Sequence, residues 1–194
     1  MRIPAQRFLA LPVAALGAVA LTGIVAGTAS ATTDLSGSVT LTVNASFITA
    51  LASHGIVFVP NGYSSISYAD GAVAVTYAAT GGDADISTFA GTISYSGGIC
   101  GFDLKNGKHV ELSSLLFDLG DTQFDGQSAT SGGEVPLVDL AGGQAGNISG
   151  TTETYSASDL VLDAAGAAYL DSALGTKALT SGEDVGSFTA TWTV

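Results

Sequence analysis

The side chains able to do chemistry are scarce, and several fall in one stretch. "SGGICGFDLKNGKHVEL", residues 96–112, holds the only cysteine, Cys100, one of the two histidines, His109, and the acids Asp103 and Glu111. A thiol and an imidazole on one face would suit nucleophilic catalysis or a metal. The spacing predicts otherwise. Lys105-Asn106-Gly107 reads as a three-residue hairpin loop with Gly107 in the left-handed position. That register sets Asp103 opposite His109, Phe102 opposite Val110 and Cys100 opposite Leu112, and cross-strand partners share a face. Cys100, Phe102, Leu104, Val110 and Leu112 then form an apolar face, with Asp103, His109 and Glu111 on the other. Cys100 is expected to be buried and His109 solvated, so the two make no pair. The parity of Leu115, Phe117 and Leu119 predicts a bulge at Ser113-Ser114.

Other chemistry fares no better. The second histidine, His54, ends a predicted helix, where an imidazole interacts with free carbonyls. No G-x-S-x-G elbow exists. The acids of "GGDAD" (81–85) and "GDTQFDG" (120–126) read as turns, and neither has the ligand spacing of a full calcium loop. Asn44-Ala45-Ser46 and Asn147-Ile148-Ser149 fit the glycosylation acceptor pattern without carrying a function. These absences predict a protein that is not an enzyme and holds no metal through side-chain clusters.

The elements around these residues give a clearer reading. Arg2 and Arg7, an apolar run from Phe8 to Ala26, and Ala29-Ser30-Ala31 read as a signal peptide over 1–31. As a membrane anchor the run is of about minimum spanning length and is diluted by Gly and Ala. The expected product is a single domain over 32–194, secreted or associated with the cell envelope. The whole chain carries net charge −12, and loss of the two arginines leaves Lys105, Lys108 and Lys177 as the basic side chains. Such a surface repels nucleic acid and anionic membrane. One cysteine cannot form an internal bridge, so the fold must rest on its core.

Period two dominates that core. "GSVTLTVN", "AVAVTYAA", "FAGTISY" and "SFTATWTV" alternate apolar and polar residues between Gly, Asn, Asp and Ser breaks. With 26 glycines, the pattern predicts a mainly antiparallel β-sandwich or barrel-like domain. Two segments depart from it. "NASFITALASHG" predicts a helix over 45–54, capped by Asn44 and stopped by Gly55. "DAAGAAYLDSALG" predicts one over 164–174, capped by Asp163 and stopped by Gly175. Both follow a strand. Aligned on their caps, Leu41 matches Leu160, Leu51 matches Leu170 and Ala50 matches Tyr169, which suggests a repeated strand-helix unit.

"LTVNASFITAL", "FAGTISYSGG" and "LVLDAAGAAYL", in that order, resemble three motifs of the Htaa domain family, a secreted or surface-anchored bacterial β-rich module known for haem binding. The resemblance implies haem as the cofactor to weigh. It also implies a tyrosine iron ligand where this chain has Ala50, a supporting histidine where it has Gly98, and a tryptophan where it has Leu41. Those ligand positions are not retained. Two readings stay open. In one, a pocket lined by Phe47, Leu51, Tyr95 and Tyr169 takes an apolar small molecule, haem-like or other. In the other, the domain is a structural or cell-envelope component with no small-molecule site.

Overall fold

The computed structural model describes residues 35–194 apart from 63 and 70; the expected signal peptide lies outside the described residues. Ten strands and two helices follow in order. They are β1 (Ser36–Val43), α1 (Ala45–His54), β2 (Ile56–Asn61), β3 (Ser64–Ala69), β4 (Ala72–Gly82) and β5 (Thr92–Asp103). Then come β6 (His109–Asp118), β7 (Gln123–Ser128), β8 (Glu134–Ser149), β9 (Thr152–Leu162), α2 (Ala164–Leu174) and β10 (Asp184–Thr193). The sheet runs β5-β6-β7-β8-β9-β10-β1-β4, and β4 pairs back onto β5 through Ala79, Gly81 and Gly82. An antiparallel barrel closes, which decides between barrel and sandwich. The predicted mainly β class and both predicted helices stand as read.

Alternation explains the wall. Val39, Leu41, Phe188, Ala190, Trp192, Tyr155 and Tyr77 point inward and are buried. Ser38, Thr40, Thr42, Ser187, Thr189 and Thr191 take the other parity, with Thr40 bonded to Thr76 at 2.8 Å. A threonine and serine ladder is not the apolar band of a lipid-facing barrel. No helix among the described residues is long and apolar enough to cross a membrane.

Both helices sit at one end, because β1 and β9 run in the same direction on either side of β10. α2 is capped at its start by Asp163, whose Oδ1 accepts from Ala165 N at 2.6 Å and Gly166 N at 3.0 Å. The Asn44 side chain does not cap α1; its Nδ2 donates to Asp184 Oδ2 at 2.9 Å. Gly55 and Gly175 end the two helices in the left-handed conformation, as their sequence positions predict. The opposite end is plugged by loop 83–91. Trp192 Nε1 donates to Ala84 O at 3.2 Å, and Ile86 N donates to the buried carboxylate of Glu153 at 2.8 Å. Phe89 belongs to this loop, at φ 53°, rather than to the strand predicted from "FAGTISY".

The β5–β6 hairpin corrects the predicted register. Phe102 pairs with His109, Gly101 with Val110 and Cys100 with Glu111. Leu104–Gly107 form a four-residue loop, with Asp103 N donating to Lys108 O at 2.9 Å. Val110 and Leu112 are inside and His109 and Glu111 outside, as expected. Phe102 and Leu104, however, are exposed, Cys100 is half-buried, and Asp103 is the buried member. The cause is the turn: Asp103 Oδ1 accepts from Lys105 N at 2.7 Å, and Oδ2 accepts from Asn106 Nδ2 at 2.9 Å. A carboxylate so satisfied can face inward. The bulge predicted at Ser113-Ser114 is present, with Ser114 at φ 49° and a pairing shift on both flanks.

Candidate ligand cavity

The interior divides into two halves. Towards loop 83–91 it is filled by aromatic rings: Phe117 and Phe188 lie 4.7 Å apart between centroids, and Phe117 and Tyr155 5.8 Å. Tyr95 packs on Phe124 at 6.1 Å. Towards the helices the walls carry aliphatic side chains, which leave a cavity of about 520 Å³. This is within the range of small-molecule sites.

The cavity arises from strand pairing. At the helix end, β5 pairs with β2 instead of β4, and β4 pairs with β3 instead of β5. Among the described residues β2 and β3 do not pair with each other, so the barrel wall is split along a seam. Glycines allow the split to begin: a Cβ on Gly97 (φ +88°) would lie 2.6 Å from Asn61 O, and one on Gly62 (φ +82°) 2.9 Å from Gly97 Cα. Pro60 lies on edge strand β2, where a missing N–H is tolerated. Phe124, Leu112 and Tyr77 line the deep part. Phe47, Ile48 and Leu51 of α1 and Leu170 of α2 line the helix side, and Val57, Val59, Ile66 and Tyr68 line the seam. The last four are also exposed, Tyr68 by 76 %.

No charged side chain lines this space. Its polar side-chain atoms are the hydroxyls of Tyr68 and Tyr77. Tyr77 donates to Gly98 O at 3.1 Å, and burial, with a smaller contribution from Cys100, pushes its pKa up, so it stays protonated. The cavity can therefore exclude water and bury hydrocarbon, but it offers almost nothing to a polar group.

Of the four residues singled out from sequence, Phe47 and Leu51 line the cavity; Tyr95 and Tyr169 do not. Tyr95 is buried in the aromatic half, where its hydroxyl has no hydrogen-bond partner and burial pushes its pKa up. Tyr169 donates to Ser128 Oγ at 2.7 Å. Ala50 is half-buried on α1 and does not line the cavity. Gly98 has a structural duty: a Cβ there would lie 2.1 Å from Leu112 O, in the backbone of β6. Sequence reading missed Tyr77, Tyr68 and Ile66. The alternation of "SSISYA" was the available signal for the last two, but nothing local marks β3 as an uncovered edge.

Among the described residues no group of three or more His, Cys, Asp or Glu side chains could hold a metal ion. The acids of "GGDAD" and Asp118 are turn-formers: Asp83 Oδ1 accepts from Thr92 N at 2.9 Å, and Asp118 Oδ1 from Gly120 N at 2.8 Å. "GDTQFDG" is only half a turn. Its end enters β7, where Asp125 is 2 % exposed and its Oδ1 has no partner. Burial first, and then Glu134, Asp118 and Asp163, raise the pKa of Asp125 to about 7.

No protein-family model matches the chain, and no curated protein matches it in sequence. Solved structures do. The C-terminal domain of HtaA from Corynebacterium glutamicum matches with a TM-score of 0.54 at 15 % identity, over 81 % of this chain and 98 % of that one. The heme-binding protein HtaB from Corynebacterium glutamicum matches with a TM-score of 0.47 at 13 % identity, over 82 % of this chain and 93 % of that one. The barrel with its two end helices is thus an Hta-like fold.

Proposed function

We propose that this chain is an exported, non-catalytic binding module of Hta type that takes an apolar small molecule by burial rather than by iron ligation. The observation that carries the reading is the uncharged cavity of about 520 Å³ between α1, α2 and the split wall. Each methylene moved from water into such a space contributes about 0.8 kcal/mol before the costs of binding are subtracted. The HtaB neighbour is heme-binding by name, but the residues here do not fit an iron-ligated haem. Ala50 has no donor atom, and a histidine at position 98 would drive its Cβ into the β6 backbone. Tyr77 already spends its hydroxyl on Gly98 O.

The test is titration of the purified protein with the neutral fluorophore N-phenyl-1-naphthylamine. Saturable one-to-one enhancement is expected. It should be lost in Leu51→Trp and weakened in Ile48→Trp, both of which fill the cavity from α1. Both variants are checked for an unchanged melting transition. Absence of enhancement in the parent protein would favour the other reading, a structural or cell-envelope domain with no small-molecule site.

A further inference from the structure

The cavity is not a closed chamber. Apolar lining continues from Phe124 in the interior, past Leu51 and Phe58, to Val59, Ile66 and Tyr68 at the seam. A path that is deep, uncharged and open along one slit suits an extended chain whose far end stays at the surface.

The charges decide what that end can be. Lys105 is engaged at a helix end: its Nζ donates to Ser53 O at 3.2 Å, at the C-terminus of α1. Lys108 packs against Gly175, at the C-terminus of α2. Among the described residues the charged groups on the strands beside the seam are acids: Asp103 of β5, opposite Ile56, is buried and held by its own turn, whereas Glu111 of β6 is exposed. Glu111 pairs across Cys100 towards Val59, and its Oε1 accepts from Asn61 Nδ2 at 2.7 Å, at the end of β2. A carboxylate or phosphate head emerging between β2 and β3 near Asn61 would meet Glu111, while Lys105 and Lys108 are engaged at the helix C-termini. An uncharged head would meet the edge strands, whose outer N–H and C=O groups have no ladder partner.

Resting on the apolar-ligand reading above, we infer that the ligand class is a single hydrocarbon chain with an uncharged polar end, such as a long-chain alcohol. The chain lies on Phe124 and the head sits at the β2–β3 seam beside Glu111.

The test is displacement of N-phenyl-1-naphthylamine from the purified protein at pH 8 by dodecan-1-ol and by dodecanoate. Dodecan-1-ol is expected to displace it at least tenfold more tightly than dodecanoate. In Glu111→Lys, an exposed change, dodecanoate should gain at least fivefold relative to dodecan-1-ol. If the fluorophore never binds, the cavity reading itself fails, and this inference with it. If it binds and the two competitors are equal, the cavity stands and the uncharged head is wrong. If Glu111→Lys leaves dodecanoate unchanged, the head is not at the seam.

Discussion

Asn106 ties the β5–β6 turn to the end of α2: its Nδ2 donates to Leu174 O at 2.8 Å and to Asp103 Oδ2 at 2.9 Å. The same turn reaches α1, where Leu104 N donates to Gly55 O at 2.8 Å. One loop therefore satisfies C-terminal carbonyls of both helices over the cavity, and Lys105 and Lys108 add positive charge where the helix dipoles are negative.

Asn106→Ala removes three of these links at once, since Asn106 Oδ1 also accepts from Lys108 N at 2.8 Å. The expected loss is about 2 kcal/mol, or a fall of roughly 5 °C in melting temperature. His109→Ala, an exposed change on the same hairpin, should shift it by less than about 1 °C. Equal effects would mean that the turn does not clasp the helices.

Gly98 separates fold from ligand chemistry. Gly98→Ala already puts a Cβ 2.1 Å from Leu112 O, so both Gly98→Ala and Gly98→His should cost several kcal/mol, of the order seen for severe core strain. Ala50→Tyr, on a half-buried helical position, should fold with a melting temperature within about 3 °C of the parent. A stable Gly98→His protein would show that the β5–β6 bulge can relax and that the histidine position is open.

The sequence announced the helices because their stops are local: Gly55 and Gly175 are needed in a left-handed conformation, and a reader of Asn44 or Asp163 finds each helix start. The hairpin faces were not legible in the same way. Asp103 turns inward because three amide groups of its own turn satisfy it, and hydrophobic pattern alone places an aspartate outside. The helical face carrying Phe47 and Leu51 was readable from spacing, while Tyr95 was not separable from them. Its depth in the barrel depends on which half the rings of Phe117, Phe124 and Phe188 fill. The cavity itself comes from a pairing that is missing among the described residues, between β2 and β3, and no residue type marks an absent hydrogen bond.

Asp125 should make stability fall as pH rises. Its carboxyl is raised from 3.8 to about 7 in the folded protein, with Glu134, Asp118 and Asp163 around it. A raised pKa means that the folded state holds the proton more tightly. The stabilisation is full below the unfolded value, near 4, and is lost by about pH 7. Melting temperature should drop by roughly 5 °C across that window from this group, beyond the drift of the other carboxylates. Asp125→Asn should flatten the drop. An unchanged profile in that variant would assign it elsewhere.

Cys100 stands half-buried on the outer face between Val59 and Glu111, not in the core. Burial, and then Glu111, push the thiol up. Alkylation by iodoacetamide at pH 7.5 should be slower than for an unstructured thiol, since the thiolate reacts. Glu111→Gln should speed it. A rate equal to that of free cysteine would remove the shift.

The remaining prediction concerns iron. The tyrosines that line the cavity are Tyr77 and Tyr68. Tyr77 cannot ligate without giving up its bond to Gly98 O, and its pKa is pushed up by burial, against the phenolate form. Tyr68 stands at the seam, 76 % exposed, with water free to compete for any metal it touches. A supporting hydrogen-bond partner normally orients such a ligand and strengthens it; the position where the sequence resemblance implies a histidine is Gly98, closed by the β6 backbone. Haemin should therefore bind weakly, with a broad absorbance typical of a porphyrin in an apolar site and no phenolate charge-transfer band. Tyr68→Phe and Tyr77→Phe should leave that spectrum unchanged and the affinity within about threefold, because a phenolic oxygen that carries no iron contributes little beyond its contact area. A sharp phenolate spectrum abolished by Tyr68→Phe would show that iron is held at the seam, and the ligand would then be recognised by coordination after all.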